Sequence, residues 1–128
     1  MCKKYTIIAV VVIAVLAFSQ YHSLRSISQG IHWNYYAAKK DAEFFLSEYK
    51  GSLSITEKRK LLLDFRERNF EHLKAIEVMS KHSIVFRKYY IKGFADDVLL
   101  LESEYKDSVV EKEGKQVKAY CEKFVEIE

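Results

Sequence analysis

The stretch Ser54–Met79, SITEKRKLLLDFRERNFEHLKAIEVM, decides how the chain folds. It opens on Ser54-Ile55-Thr56-Glu57, a capping box. There the serine oxygen can accept the amide three residues on, while the glutamate reaches back to the serine amide. Apolar residues then recur at helical spacing: Ile55, Leu62, Phe65, Leu73, Ile76 and Met79. Asn69 lies inside that stripe and reads as a polar group satisfied within a helix interface. The helix is predicted to stop near Ser80-Lys81-His82-Ser83, a polar cluster without Gly or Pro.

The same period continues on both sides. Downstream, Ile84, Ile91, Phe94, Ala95, Val98, Leu101, Tyr105 and Val109 predict a third helix, with Gly93 as a kink or close contact point. Val110, Val117, Tyr120, Cys121, Phe124 and Ile127 predict a fourth, with a break at Glu113-Gly114. Upstream, a stripe of Leu24, Ile27, Ile31, Ala38, Ala42, Phe45 and Tyr49 is flanked by Tyr35 and Leu46. Gly30 weakens its beginning, so a firm helix is expected from Ile31, stopping at Gly51. No apolar/polar alternation of period two is bounded by turn signals. The fold class is therefore all-α: an N-terminal transmembrane or signal helix, then a three- to four-helix bundle or helical hairpins.

Composition agrees. The chain has 128 residues, is 49% hydrophobic and contains no proline, which excludes a disordered tail and permits long helices. Two cysteines are too few for a disulfide scaffold or a Cys-rich zinc module.

The N-terminus reads Met1-Cys2-Lys3-Lys4 and then an apolar run to Phe18. Two readings stay open. The core Ile7–Phe18 is 12 residues, short for a span, and Ala17-Phe18-Ser19 has small residues where cleavage before Gln20 requires them. Yet Tyr5–Ser23 gives 19 residues without Asp, Glu, Lys or Arg, enough to cross a bilayer, with Tyr5 and Tyr21 at the ends. Retention is the favoured reading. The division expected is a signal-anchor or signal peptide over 1–22, a connector over 23–30 and a helical extracytoplasmic domain over 31–128. Lys3 and Lys4 would keep the N-terminus in the cytoplasm and leave the body outside, in a periplasmic setting. A cleaved, secreted form is the alternative.

Charge is divided along the chain: +2 over residues 1–19, +6 over 20–92 and −5 over 93–128. The favoured reading pairs a basic second helix with an acidic fourth inside the fold. The other offers faces of opposite sign to a partner or to anionic lipid headgroups. Arg87-Lys88-Tyr89-Tyr90 mixes cations with aromatics, but an almost neutral exported body is a poor match for nucleic acid.

Catalytic patterns are lacking. His22, His32, His72 and His82 lie too far apart for two to share a helix face, and no HExxH, ExxH, GxGxxG, P-loop or GxSxG occurs. Neither a catalytic residue, a metal ligand nor a cofactor site is expected. On the first helix Trp33, Ala37 and Phe44 lie opposite the main stripe, with Tyr36 nearby. A helix apolar on two sides is usually central in its bundle, which is the favoured reading; an exposed aromatic contact patch is the alternative. Cys121 reads first as a buried small hydrophobe and second as a disulfide to another copy.

These observations point to a non-enzymatic interaction protein, an accessory subunit or a small inhibitor. Size and architecture alone place it beside immunity, exclusion and antiholin factors. The expected partner is another protein, membrane-embedded or a second copy. The expected contact residues are Trp33, Tyr36, Phe44, Arg87, Tyr89 and Tyr90. A binder of a small apolar or lipid ligand, held in an aromatic-lined helical cavity, is the competing class.

Overall fold

A computed structural model of the chain describes residues 2–99 and 106–127. The element order is α1 (Cys2–Glu48), α2 (Ile55–Lys81), a 3-10 turn (Arg87–Tyr89), α3 (Phe94–Leu99) and α4 (Asp107–Val125). Among the described residues there is no strand. The chain divides into two compact units, Met1–His32 and Trp33–Glu128.

The first unit is the N-terminal part of α1. Every residue from 3 to 27 is exposed, and its 18-residue apolar window has mean hydropathy 2.0. It is long and apolar enough to cross a membrane. Gly30 causes no break, so residues 23–30, expected as a connector, are helical. Burial along the upstream stripe begins at Ile31; Leu24 and Ile27 stay exposed.

The second unit is built on α2. Ser54 caps it as the sequence predicts: its hydroxyl accepts the Glu57 amide at 3.3 Å, and its own amide donates to the Glu57 carboxylate at 2.7 Å. Those bonds satisfy donors that a helix start otherwise leaves to water. They also hold the Glu57 carboxyl below its ordinary pKa, the bond from the Ser54 amide contributing most. Leu62, Phe65, Leu73 and Ile76 face inward, each at most 4% exposed. They meet Phe94, Ala95 and Val98 of α3, and Val110, Val117, Cys121 and Phe124 of α4, all buried. Ala38, Ala42 and Phe45 close the core from α1. A file of rings runs through it: Tyr89, Tyr35, Phe124, Phe94, Phe65, Phe45 and Tyr49, with successive centroids 4.8–6.5 Å apart. Each such pair contributes about 0.5–1.5 kcal/mol beyond its burial.

Two helix boundaries differ from expectation. Ile84 does not begin a third helix: it is 98% exposed in a succession of turns, and α3 starts only at Phe94. Gly93 is the reason. Its φ of +76° is left-handed backbone that glycine adopts cheaply, so it sets up the start of α3 instead of kinking a longer helix. Leu101 and Tyr105, assigned to the same stripe, lie outside the described residues; Val109 belongs to the first turn of α4. Nor is there a break at Glu113-Gly114, since α4 continues through both, and both are buried. Gly114 is where Tyr49 approaches; an added Cβ would lie 2.9 Å from the Tyr49 Cζ.

The expected meeting of basic and acidic segments is present. Lys58 on α2, its side chain only 8% exposed, bonds Glu111 on α4 at 2.7 Å, and Arg59 reaches Asp107 at 3.5 Å. The hydrogen bond between them raises the Lys58 pKa and lowers that of Glu111.

Candidate functional site

The C-terminal part of α1 and the first half of α2 enclose a groove of about 310 Å³. Rings bridge the two helices there, with Phe45 and Phe65 5.0 Å apart, and the wider parting beside them is the groove. Phe44, Phe45, Leu53, Leu61 and Phe65 supply its apolar lining. Asp41, Glu48 and Asp64 bring negative charge to it, Lys60 and Arg68 positive, and Glu57 is already engaged in the helix cap. Asn69 also lines it and is fully buried. Its Nδ2 donates to the Phe65 carbonyl at 3.2 Å, but its Oδ1 has no partner. The sequence reading of Asn69 as a satisfied core amide therefore holds for one end of the side chain only. An unpaired buried acceptor costs roughly 1–3 kcal/mol and favours any ligand that brings a donor to it.

Beside the groove, α1 turns its second apolar side to solvent. Trp33 is 75% exposed, Tyr36 61% and Phe44 53%. The favoured expectation of a central helix is thereby corrected: α1 covers the core with one side and leaves the other open. Lys40 lies 5.4 Å from the Tyr36 ring centroid, a cation–π contact that orders this ridge. Phe44 joins the ridge to the groove.

The second expected cluster separates. Arg87 is exposed and Tyr90 half-buried, with the guanidinium 4.9 Å from the Tyr90 ring centroid. Arg87 Nη1 also donates to the Lys81 carbonyl and so closes the turn. Tyr89, expected as a contact residue, points inward instead: it is 7% exposed, against Tyr35. The apolar core takes that ring because the turn directs it beneath the surface. Cys121 is likewise enclosed, with no exposed surface, and burial followed by the neighbouring Glu122 charge pushes its thiol pKa upward. A thiol so placed cannot reach a second copy in this fold, which leaves its reading as a buried small hydrophobe.

Among the described residues the histidines stand apart from one another. His72 is half-buried, and its Nδ1 donates to Asn34 Oδ1 at 2.6 Å; Glu71 and His82 are exposed. Among the described residues no group of three His, Cys, Asp or Glu side chains could hold a metal ion. One polar cluster escaped sequence reasoning. Gln116 donates to Asp97 at 2.7 Å, burial and then the same carboxylate raise the Tyr120 pKa, and Glu113 lies 8% exposed with Oε2 unpaired. The sequence marks Glu113 only as part of an expected helix break; the packing of α3 on α4 is what joins it to Asp97. The groove had one sequence signal, the run Leu61-Leu62-Leu63, which is broader than a single stripe needs.

Compared with protein-family models, with curated proteins and with solved structures, the chain matches none of them.

Proposed function

We propose that the protein is a non-enzymatic, membrane-anchored interaction module. Its N-terminal helix crosses the cytoplasmic membrane with the N-terminus inside, and the helical body outside engages another protein. One observation carries the reading: Trp33, Tyr36 and Phe44 are more than half exposed on the C-terminal part of α1, whose opposite side there buries Ile31, Ala38, Ala42 and Phe45. Three large aromatic side chains left in water beside a groove are what an anchor-and-pocket interface uses. The partner would lay apolar side chains along the ridge and into the groove, as an amphipathic helix does.

The test is site-specific photocrosslinking in native membranes. A photoreactive residue at position 33 or 44 should give one defined protein adduct, and the same residue at exposed Ala119 on α4 should not. In parallel, Trp33→Ala with Phe44→Ala should reduce the adduct from position 36 at least about tenfold, the scale of one hot-spot residue. Helical circular dichroism should stay unchanged. Equal adducts from positions 33 and 119 would overturn the reading, and so would unfolding of the double variant.

The groove itself supports a second reading, a small apolar ligand with a hydrogen-bond donor for Asn69 Oδ1. Leu61→Trp would fill it. Loss of a co-extracted small molecule, with the crosslinks from position 33 intact, would favour that reading over the protein partner.

A further inference from the structure

We infer that the turn between α2 and α3 is a membrane-contacting element: Ile84 and Val85 enter the interface of an anionic bilayer while Lys81, Arg87, Lys88 and Lys92 meet its headgroup phosphates. Two observations coincide there. Ile84 is 98% exposed and Val85 69%, an adjacent pair of aliphatic side chains with nothing covering them. Around them residues 78–95 contain no Asp or Glu, whereas Lys81, Arg87, Lys88 and Lys92 are all exposed. Glu77 and Asp96 bound the stretch and share a pocket with Lys81, but two carboxylates against four cations leave a local excess of positive charge.

The apolar pair is presented by a constrained turn. Ser83 donates its amide to Ser80 at 3.4 Å, and its hydroxyl accepts the Phe86 amide at 3.3 Å. Tyr89 and Tyr90 donate their amides to Phe86 and Arg87, each at 3.0 Å. Arg87 closes the turn onto the Lys81 carbonyl, and Tyr89 roots it in the core. Bonds from the Ser83, Phe86, Tyr89 and Tyr90 amides thus tie the turn while the aliphatic tip stays outward, which lowers the ordering entropy lost on binding.

The chemistry selects the occupant. Aliphatic side chains gain from leaving water for the acyl boundary, and each cation near an anionic surface strengthens binding about fivefold. Two aliphatic residues and four cations bind a free vesicle weakly. On a chain already tethered by α1 the contact becomes intramolecular and weak affinity suffices. The inference therefore rests on the anchored reading. It is independent of the aromatic ridge.

The experiment uses the full chain with Cys2→Ser and Val85→Cys, labelled with an environment-sensitive fluorophore; Cys121 is buried and does not compete. The protein is reconstituted in phosphatidylcholine vesicles with or without about 30% phosphatidylglycerol, the level that gives a strongly negative surface. With phosphatidylglycerol, a lipid-borne quencher should reach the label and aqueous iodide quenching should fall about fivefold or more relative to neutral vesicles. Lys81→Glu with Lys92→Glu should restore iodide access, since neither side chain closes the turn. A label at Ala119→Cys should stay in water throughout. Equal iodide access at position 85 in both vesicles overturns the inference. Protection that survives the charge reversal also overturns it, because the cations then play no part. Failure of the chain to float with either vesicle overturns the anchored reading, and this inference with it.

Discussion

Glu113 shows how one side chain sets a pH dependence. It faces inward from α4, 8% exposed, with one carboxylate oxygen unpaired. Burial first, and the charge of Asp97 second, raise its pKa. A carboxyl raised in the folded state is comfortable protonated. Below its unfolded pKa, about 4.3, it costs the fold nothing, and the cost of charging it grows as pH rises through the folded value. Glu113→Gln removes that cost. We expect the variant to be more stable than the native chain at pH 7, because the amide leaves no charge to be buried beside Asp97. The advantage should vanish at about pH 4. Urea unfolding at the two pH values checks this, and an unchanged difference between them would refute it. Glu57 and Glu111 run the opposite way, because bonds to the Ser54 amide and to Lys58 lower their pKa. What they contribute is present at neutral pH and is lost as pH falls through their folded values.

Among the elements, α4 meets the end of α1 at a position with no room for a side chain. An added Cβ at Gly114 would lie 2.9 Å from Tyr49 Cζ, and Tyr49 is held by stacking on Phe45 and by Lys58 above its ring. Gly114→Ala should therefore lower stability by about 1 kcal/mol, an overpacking cost of roughly 1–3 kcal/mol less the helix propensity gained. In a Tyr49→Ala background the crowding is gone, and the same change should stabilise by about 0.5–1 kcal/mol. A double-mutant cycle without that change of sign would show that Tyr49 does not dictate the glycine. This contact also marks how far sequence reads. The α2 cap and its stripe were legible because they are local: the groups that satisfy Ser54 and Glu57 lie three residues apart. Gly93 and Gly114 were not. A glycine reads the same whether it breaks a helix, begins one or admits a distant ring, and only tertiary packing decides. The exposed Trp33, Tyr36 and Phe44 were legible as a second apolar side, but whether another element covered it was not. The leucine run hinted at the groove, but its charged lining was not legible for a related reason: Asp41, Glu48, Asp64 and Arg68 look like ordinary solvated charges until two helices bring them together.

For the whole molecule, the division of charge and the division of hydropathy serve different ends. Part of the basic excess of α2 is neutralised inside the body, where Lys58 and Arg59 meet Glu111 and Asp107. Residues 78–95 have no acidic group of their own, so their charge remains turned outward. The N-terminal part of α1 uses hydropathy alone: from Lys3 to Ile27 no residue is buried, and the apolar side chains point in every direction around the axis. A helix apolar all round gains little in water and much in hydrocarbon, where its backbone bonds are satisfied within the segment. We propose retention rather than cleavage on the length of this segment. The apolar core of a cleaved signal would end at Phe18, yet helix and exposure both continue past Gln20, and Tyr21 stands where an interfacial ring belongs. We therefore expect the protein isolated from cells to keep the residues before Gln20 and to remain with the membrane after a high-salt wash. Salt screens the attraction of Lys and Arg for headgroups but leaves the burial of a hydrocarbon-facing helix untouched, so such a wash separates an anchor from a basic patch. Mass spectrometry of the washed membrane fraction reads both at once, and a chain beginning at Gln20 and recovered in the soluble fraction would refute retention.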